Sequence, residues 1–186
     1  MKFLIIILLT FSFNLKSDTN LNEHENIIKK TLSNTMLSLK NSLEKALESG
    51  DVENAVKMCS LEAQDLTNKS NTRKTTIKRI SLKYRNPKNK PTKFEETILQ
   101  NFEKKLTSGA KFTDLEFKKV LSGKEFNTLL YIKAIPTKGV CLNCHGQNID
   151  KDVQAEILSK YPNDNAIGFK LGDIRGAFSV RHNFNH

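Results

Sequence analysis

Cys141-Leu142-Asn143-Cys144-His145 puts two thiols two residues apart, with an imidazole directly after them. At this spacing two cysteines can add to the vinyl groups of haem as thioethers, leaving the histidine beside the porphyrin to bind iron. Two other chemistries use part of the pattern. A thioredoxin-like redox pair needs the cysteines but not the histidine, and asks for a βαβ setting. A structural zinc site needs four ligands, usually from two close pairs. There is no second close Cys/His pair, and only His182 and His186 near the C-terminus could stand in. The spacing therefore favours one covalently bound haem c, with Cys141 and Cys144 as its attachment points and His145 as an axial iron ligand. His182 and His186 read more simply as solvent-exposed residues of a tail.

The third cysteine, Cys59, falls on a predicted helix from Asp51 to about Asn68, in a stripe with Val52, Val56, Ala63 and Leu66. In a regular helix its neighbour Met58 points about 100° away. If this helix faces the haem, Cys59 and not Met58 is the natural second axial ligand. The other reading is a small buried hydrophobe, the usual fate of a free cysteine.

The remaining elements must carry these groups. Residues 20–49 read as one long amphipathic helix, with Ile28, Leu32, Met36, Leu39, Leu43 and Leu47 at three- and four-residue steps; packing is the favoured use and a dimer or signalling helix the alternative. Ile80 to Tyr84 alternates like a strand, and Asn86, Pro87 and Pro91 then turn the chain. Thr92-Lys93-Phe94-Glu95 is a capping box that opens a helix to about Leu106. Leu115 to Val120 is a short strand or turn. Glu125 to Ala134 is a strand that puts Phe126, Leu130, Ile132 and Ala134 on one face and Leu129 and Tyr131 on the other. The cysteine motif thus follows a strand and a turn containing Pro136 and Gly139. Asp150 caps a short helix that ends before Pro162, and Gly168 to Asn183 reads as a β-hairpin.

The chain has 186 residues and a net charge of +10, enough for one domain with its own core. Residues 69–93 hold ten Lys/Arg and no Asp or Glu, an excess equal to the net charge. Most of these should be solvated. Arg79 and Arg85 differ, because a planar guanidinium grips a carboxylate in bidentate fashion, and they are the candidates for contact with haem propionates. Met1 to about Ser17 reads as a secretory signal: a basic Lys2, an apolar run from Phe3 to Phe13 and a polar end. The run is too short for a spanning helix, although an uncleaved anchor is the alternative. A periplasmic location follows, and it argues against nucleic acid as the partner of the basic run.

The chain resembles the c-type haem proteins with a PAS-like domain, best known from a thermophilic cyanobacterial member. The resemblance rests on Arg79 to Pro91 with Glu95 beyond, Cys141 to Gly146, Tyr161 to Phe169, and Gly172 to Ala177, in that order. Ile80 stands where Thr is common, and Phe94 where Trp often precedes the Glu. The resemblance implies an α+β fold, a PAS-like antiparallel sheet flanked by helices with a long N-terminal helix. It implies one haem on Cys141 and Cys144 with His145 as axial ligand. The family's other axial ligand is a cysteine on an N-terminal helix, which matches Cys59.

A thiolate ligand holds iron ferric and gives a low potential, whereas a methionine would raise it. Two functions fit: a redox or small-ligand (gas) sensor, or a periplasmic electron carrier that docks an acidic partner through its basic surface. The chain carries no signalling output, so a sensor would need a protein partner. No triad, paired carboxylates or substrate-pocket signature points to an enzyme.

Overall fold

The structure, a computed structural model, describes residues 15–48 and 52–185. The secretory reading falls mainly on residues 1–14, outside the described part. Helix α1 spans Leu15–Glu48. It buries Ile28, Leu32 and Thr35 against the rest of the chain. Met36, expected in that stripe, is exposed, and Thr35 takes its place by donating to the Ser70 hydroxyl at 2.7 Å.

The next helical stretch is not a single α-helix. α2 (Val52–Lys57) runs into a π turn (Met58–Glu62) and then α3 (Ala63–Lys69). The wider turn changes which residues share a face. Met58 is buried, and its Sδ lies 4.0 Å from Cys59 Sγ. Met58 is therefore not turned away from the thiol, as a regular helix would require.

Four strands follow: β1 (Thr75–Ile80), β2 (Glu116–Leu121), β3 (Asn127–Pro136) and β4 (Ile174–Phe184). They form one antiparallel sheet in the order β1-β4-β3-β2. With its helices, the fold is α+β, as expected. Two of the sequence expectations change. The strand expected at Ile80–Tyr84 lies earlier and ends at Ile80. Beyond it the Ser81 hydroxyl bonds the carbonyls of Lys83 and Arg175, and the chain leaves the sheet. The expected hairpin from Gly168 is a turn followed by one long central strand. Gly168 and Gly172 take positive φ (77° and 86°), and Asp173 Oδ2 accepts from Lys170 N at 2.7 Å.

The sheet has an apolar cluster on each face. One gathers Ile80, Leu99, Phe102, Leu130, Ile132 and Ala177 under α4 (Lys93–Thr107). The other gathers Ile28, Leu32, Ile77, Leu129, Tyr131 and Val180 under α1. Period-two alternation along β3 makes this division. Two short helices complete the chain: α5 (Leu142–His145) and α6 (Lys151–Lys160), the latter capped by Asp150.

Glu95 ties α4 to the sheet. It closes the capping box with Thr92, and its buried Oε1 accepts from Ser179 on β4 at 2.7 Å. Burial alone would raise this carboxyl, but the hydrogen bonds from Thr92 and Ser179 outweigh it and leave it below its ordinary 4.5. Its contribution to stability is therefore complete above pH about 4.5 and is lost as pH falls through the lowered folded value. Glu95→Ala should cost about 2–3 kcal/mol at neutral pH. Urea denaturation between neutral and acid pH should show a smaller acid loss in the variant than in the natural chain.

Candidate haem site

The motif lies on a tight double turn. A 3₁₀ turn (Gly139–Cys141) leads directly into α5, which ends at His145. Both thiols and the imidazole thus project from barely two turns of chain. Gly146 closes α5, and a Cβ there would stand 2.5 Å from the Leu142 carbonyl oxygen. The glycine is needed for close backbone approach. The chain then runs back alongside the motif, where Gly168 N donates to Gly146 O and Phe169 N to His145 O, each at 2.9 Å.

These bonds fix the histidine. His145 Nδ1 donates to the Ala166 carbonyl at 2.7 Å, which directs the lone pair to Nε2. Burial, and then the charges of Arg175 and Arg85, push the imidazole well below its usual range, against the pull of the Ala166 carbonyl. The ring is neutral at physiological pH, the form that binds a metal. Phe169 packs edge-on against it, with ring centroids 6.3 Å apart.

Arg85 is already paired. Its Nη2 donates to the Cys144 carbonyl at 2.6 Å and to Asp164 Oδ2 at 2.9 Å, and the two side chains are 8% and 3% exposed. Asp164 Oδ1 accepts from Ala166 N at 2.9 Å. A single carboxylate therefore holds both the arginine that grips the motif and the residue whose carbonyl orients His145.

Arg79 and Arg175 complete a cluster of three guanidiniums. Arg79 Nε and Arg85 Nε are buried without a hydrogen-bond partner. Burial, followed by the charges of Arg85 and Arg79, lowers Arg175 to about 10. Its Nη2 faces His145 Nε2 at 3.3 Å. Within this cluster the one carboxylate is Asp164.

Cys59, on the π turn, interacts with the same arginines and with the motif. Burial raises its thiol, the charges of Arg79, Arg85 and Arg175 oppose this, and Cys141 adds to it. Burial raises Cys144 too, and Cys59 is the next contributor. All three cysteines are free thiols. The six residues singled out in the sequence, Cys59, Arg79, Arg85, Cys141, Cys144 and His145, share one electrostatic environment. Asp164, Ala166 and Arg175 were given no role there, although the Asp-X-Ala spacing is that of an Asx turn.

His182 is not in an exposed tail. It lies in β4, 4% exposed, with Nδ1 2.8 Å from Thr75 Oγ1 and Nε2 3.1 Å from His24 Nδ1. The strand runs on to Phe184 and takes the histidine in with it; His186 is outside the described residues. Among the described residues no three His, Cys, Asp or Glu side chains gather as a metal-binding group, so the zinc reading gains no support.

A family model matches residues 14–182, from the start of α1 to the buried His182. The chain belongs to the Tll0287-like family. The crystal structure of the cyanobacterial heme-protein Tll0287 superposes with a TM-score of 0.56 at 24% identity, covering 87% of this chain and 98% of that one. At that identity the likeness shows the shared fold. No curated protein matches the chain. Family membership agrees with the c-type haem resemblance read from the sequence and with its α+β, PAS-like architecture. Among the described residues of this Tll0287-like chain, no helix is long and apolar enough to cross a membrane.

Asp164→Ala should destabilise the chain by about 3–5 kcal/mol, because it strands a buried guanidinium. Chemical denaturation measures this. In the same variant the His145 ring should lose its fixed tautomer, which nitrogen-15 chemical shifts of the imidazole report.

Proposed function

We propose that this chain is an exported monohaem protein with haem c on Cys141 and Cys144, His145 and Cys59 as axial ligands, and a low-potential redox or small-ligand sensing role. The observation that carries this reading is the convergence of a neutral His145 and a third thiol, Cys59, on the attachment motif, within a cluster of three guanidiniums of which Arg79 and Arg85 each leave a buried Nε without an acceptor. The residues present fit the group. Two of three guanidiniums lack a carboxylate of their own, matching the two propionates of a haem, and His145 Nε2 carries the lone pair that would coordinate once Arg175 Nη2, now 3.3 Å away, turns to a propionate. That likeness extends to a relative described as a heme-protein.

The division of labour follows from the contacts. Arg85 is a positioning residue, because Cys144 O and Asp164 already occupy it. Arg79, with its orphaned Nε, is the better propionate contact, and Arg175 joins it. When bound, haem supplies a one-electron iron couple, whose potential a thiolate lowers. The guanidiniums favour the thiolate of Cys59 over its thiol, against the burial that disfavours it. The π turn beside Cys59 is the kind of helix irregularity often found at functional sites.

The second reading, a periplasmic electron carrier, draws on the basic surface. The lysines of residues 69–93 are exposed or half-buried, and although Lys78, Lys83 and Lys93 have contacts of their own, the run presents a basic surface to an acidic partner. Reduction under carbon monoxide separates the two. A sensor should lose its thiolate bands and bind carbon monoxide quickly as Cys59 leaves. A carrier should keep its six-coordinate spectrum and exchange electrons reversibly. In either case Cys59→Ala should change the ferric spectrum and raise the potential, since Met58 Sδ is the sulfur next to the lost thiol. An unchanged spectrum and potential would remove Cys59 from the ligand set.

A further inference from the structure

A cleft of about 570 Å³ opens on the α4 side of the sheet, the face opposite α1. It lies between α4, the chain after β1 and the turn before β4. The volume is that of a small-molecule site. Its floor is apolar: Leu99, Phe169 and Ile174 are buried there, with Leu82 and Leu106 at the sides.

The rim carries fixed charges of both signs. Lys83 Nζ is steadied by the Ile167 carbonyl at 3.3 Å and by the Phe169 ring, 5.3 Å from its centroid. The same rim carries Glu103 on α4 and Asp173 on the turn. Asp173 is held by Lys170 N. Among the described residues the exposed Glu103 carboxylate makes no hydrogen bond or ion pair. Burial raises it, against the pull of Lys83, and Asp173 adds to the rise. In a chain of net charge +10, this rim is locally acidic, two carboxylates to one ammonium. Ser81 Oγ is already committed to the Lys83 and Arg175 carbonyls.

We propose that this cleft binds a small zwitterion with an apolar body, of the class of free α-amino acids with apolar side chains. Its ammonium would meet Glu103 and Asp173, its carboxylate Lys83, and its side chain the Leu99–Leu106–Ile174 floor. Charges of both signs around a hydrocarbon floor match that ligand better than a simple amine, which leaves Lys83 unanswered, or a simple acid, which leaves both carboxylates unanswered.

The cleft also adjoins the haem site. Arg175 Nη1 donates to Ser81 Oγ at 3.1 Å and to Lys83 O at 3.3 Å, while its Nη2 faces His145. Phe169 lines the cleft and packs on the same imidazole. A ligand packing on Phe169 thus acts on a direct neighbour of His145, and one bearing on Lys83 acts on the residue whose carbonyl Arg175 holds. This coupling rests on the reading of His145 as the iron ligand; the binding does not.

Isothermal titration of the full chain with leucine and with phenylalanine tests the binding without any haem signal. The expected result is saturable one-to-one heat, with isoamylamine and 4-methylpentanoate each about tenfold weaker or more. Glu103→Gln should weaken leucine about tenfold or more while leaving the thermal midpoint near that of the natural chain. No saturation by either amino acid at millimolar concentration would overturn the proposal. So would equal binding of the amine or the acid, or binding undiminished in E103Q. In haem-loaded protein the absorption bands should shift along the same saturation curve. Flat bands beside saturable heat would remove the coupling and retain the site.

Discussion

The buried ion pair between Arg85 and Asp164 is the interaction on which the site depends. It joins three stretches distant in sequence: the loop after β1, the turn of the cysteine motif, and the segment that leads to β4. Each partner has a further contact that matters. Arg85 holds the Cys144 carbonyl, and Asp164 holds Ala166, whose carbonyl sets the tautomer of His145. A buried pair of this kind adds little net stability over an apolar replacement, but removing one member is costly. Its value here is in geometry, since it fixes where two thiols and one nitrogen point.

The electrostatics of the site run against ordinary burial rules. Charged groups are seldom taken from water unless paired. Here three guanidiniums gather around a single carboxylate, and two of them leave a buried Nε without an acceptor. Burial and then this cluster depress the neighbouring imidazole, while at Cys59 burial raises the thiol and the guanidiniums only oppose that rise. A dianionic group with a thiolate-binding centre would relieve both the unpaired donors and the excess charge. The same guanidiniums explain a contrast within the basic run of residues 69–93. Arg85 is buried and Arg79 half-buried, while most of the lysines stay in water, as the weaker hydration of the guanidinium favours.

Much of the site was legible because its signals are local. The placing of the cysteine motif after a strand and a turn, the capping box at Thr92–Glu95 and the alternation along β3 each depend on residues a few positions apart, and each has its expected place in the structure. The signals that failed depend on distant partners. β1 ends at Ile80 because Ser81 bonds a carbonyl on β4, and His182 is buried because β4 continues between β1 and β3. The π turn at Met58 has no marker in a helical periodicity, and it brings a second sulfur to within 4.0 Å of Cys59. Asp164 and Arg175 lay within stretches already noted, but their roles appear only when the fold brings them to His145.

The central claim is that Cys141 and Cys144 carry a haem as thioethers, and acid–acetone extraction tests it most directly. Protein made in cells that mature c-type cytochromes is extracted, and the denatured chain is then weighed by mass spectrometry. The account predicts that the haem stays with the chain and adds the mass of one haem, and that Cys141→Ala with Cys144→Ala releases it. Extraction of all the haem from the natural chain, or a mass equal to the polypeptide alone, would contradict it.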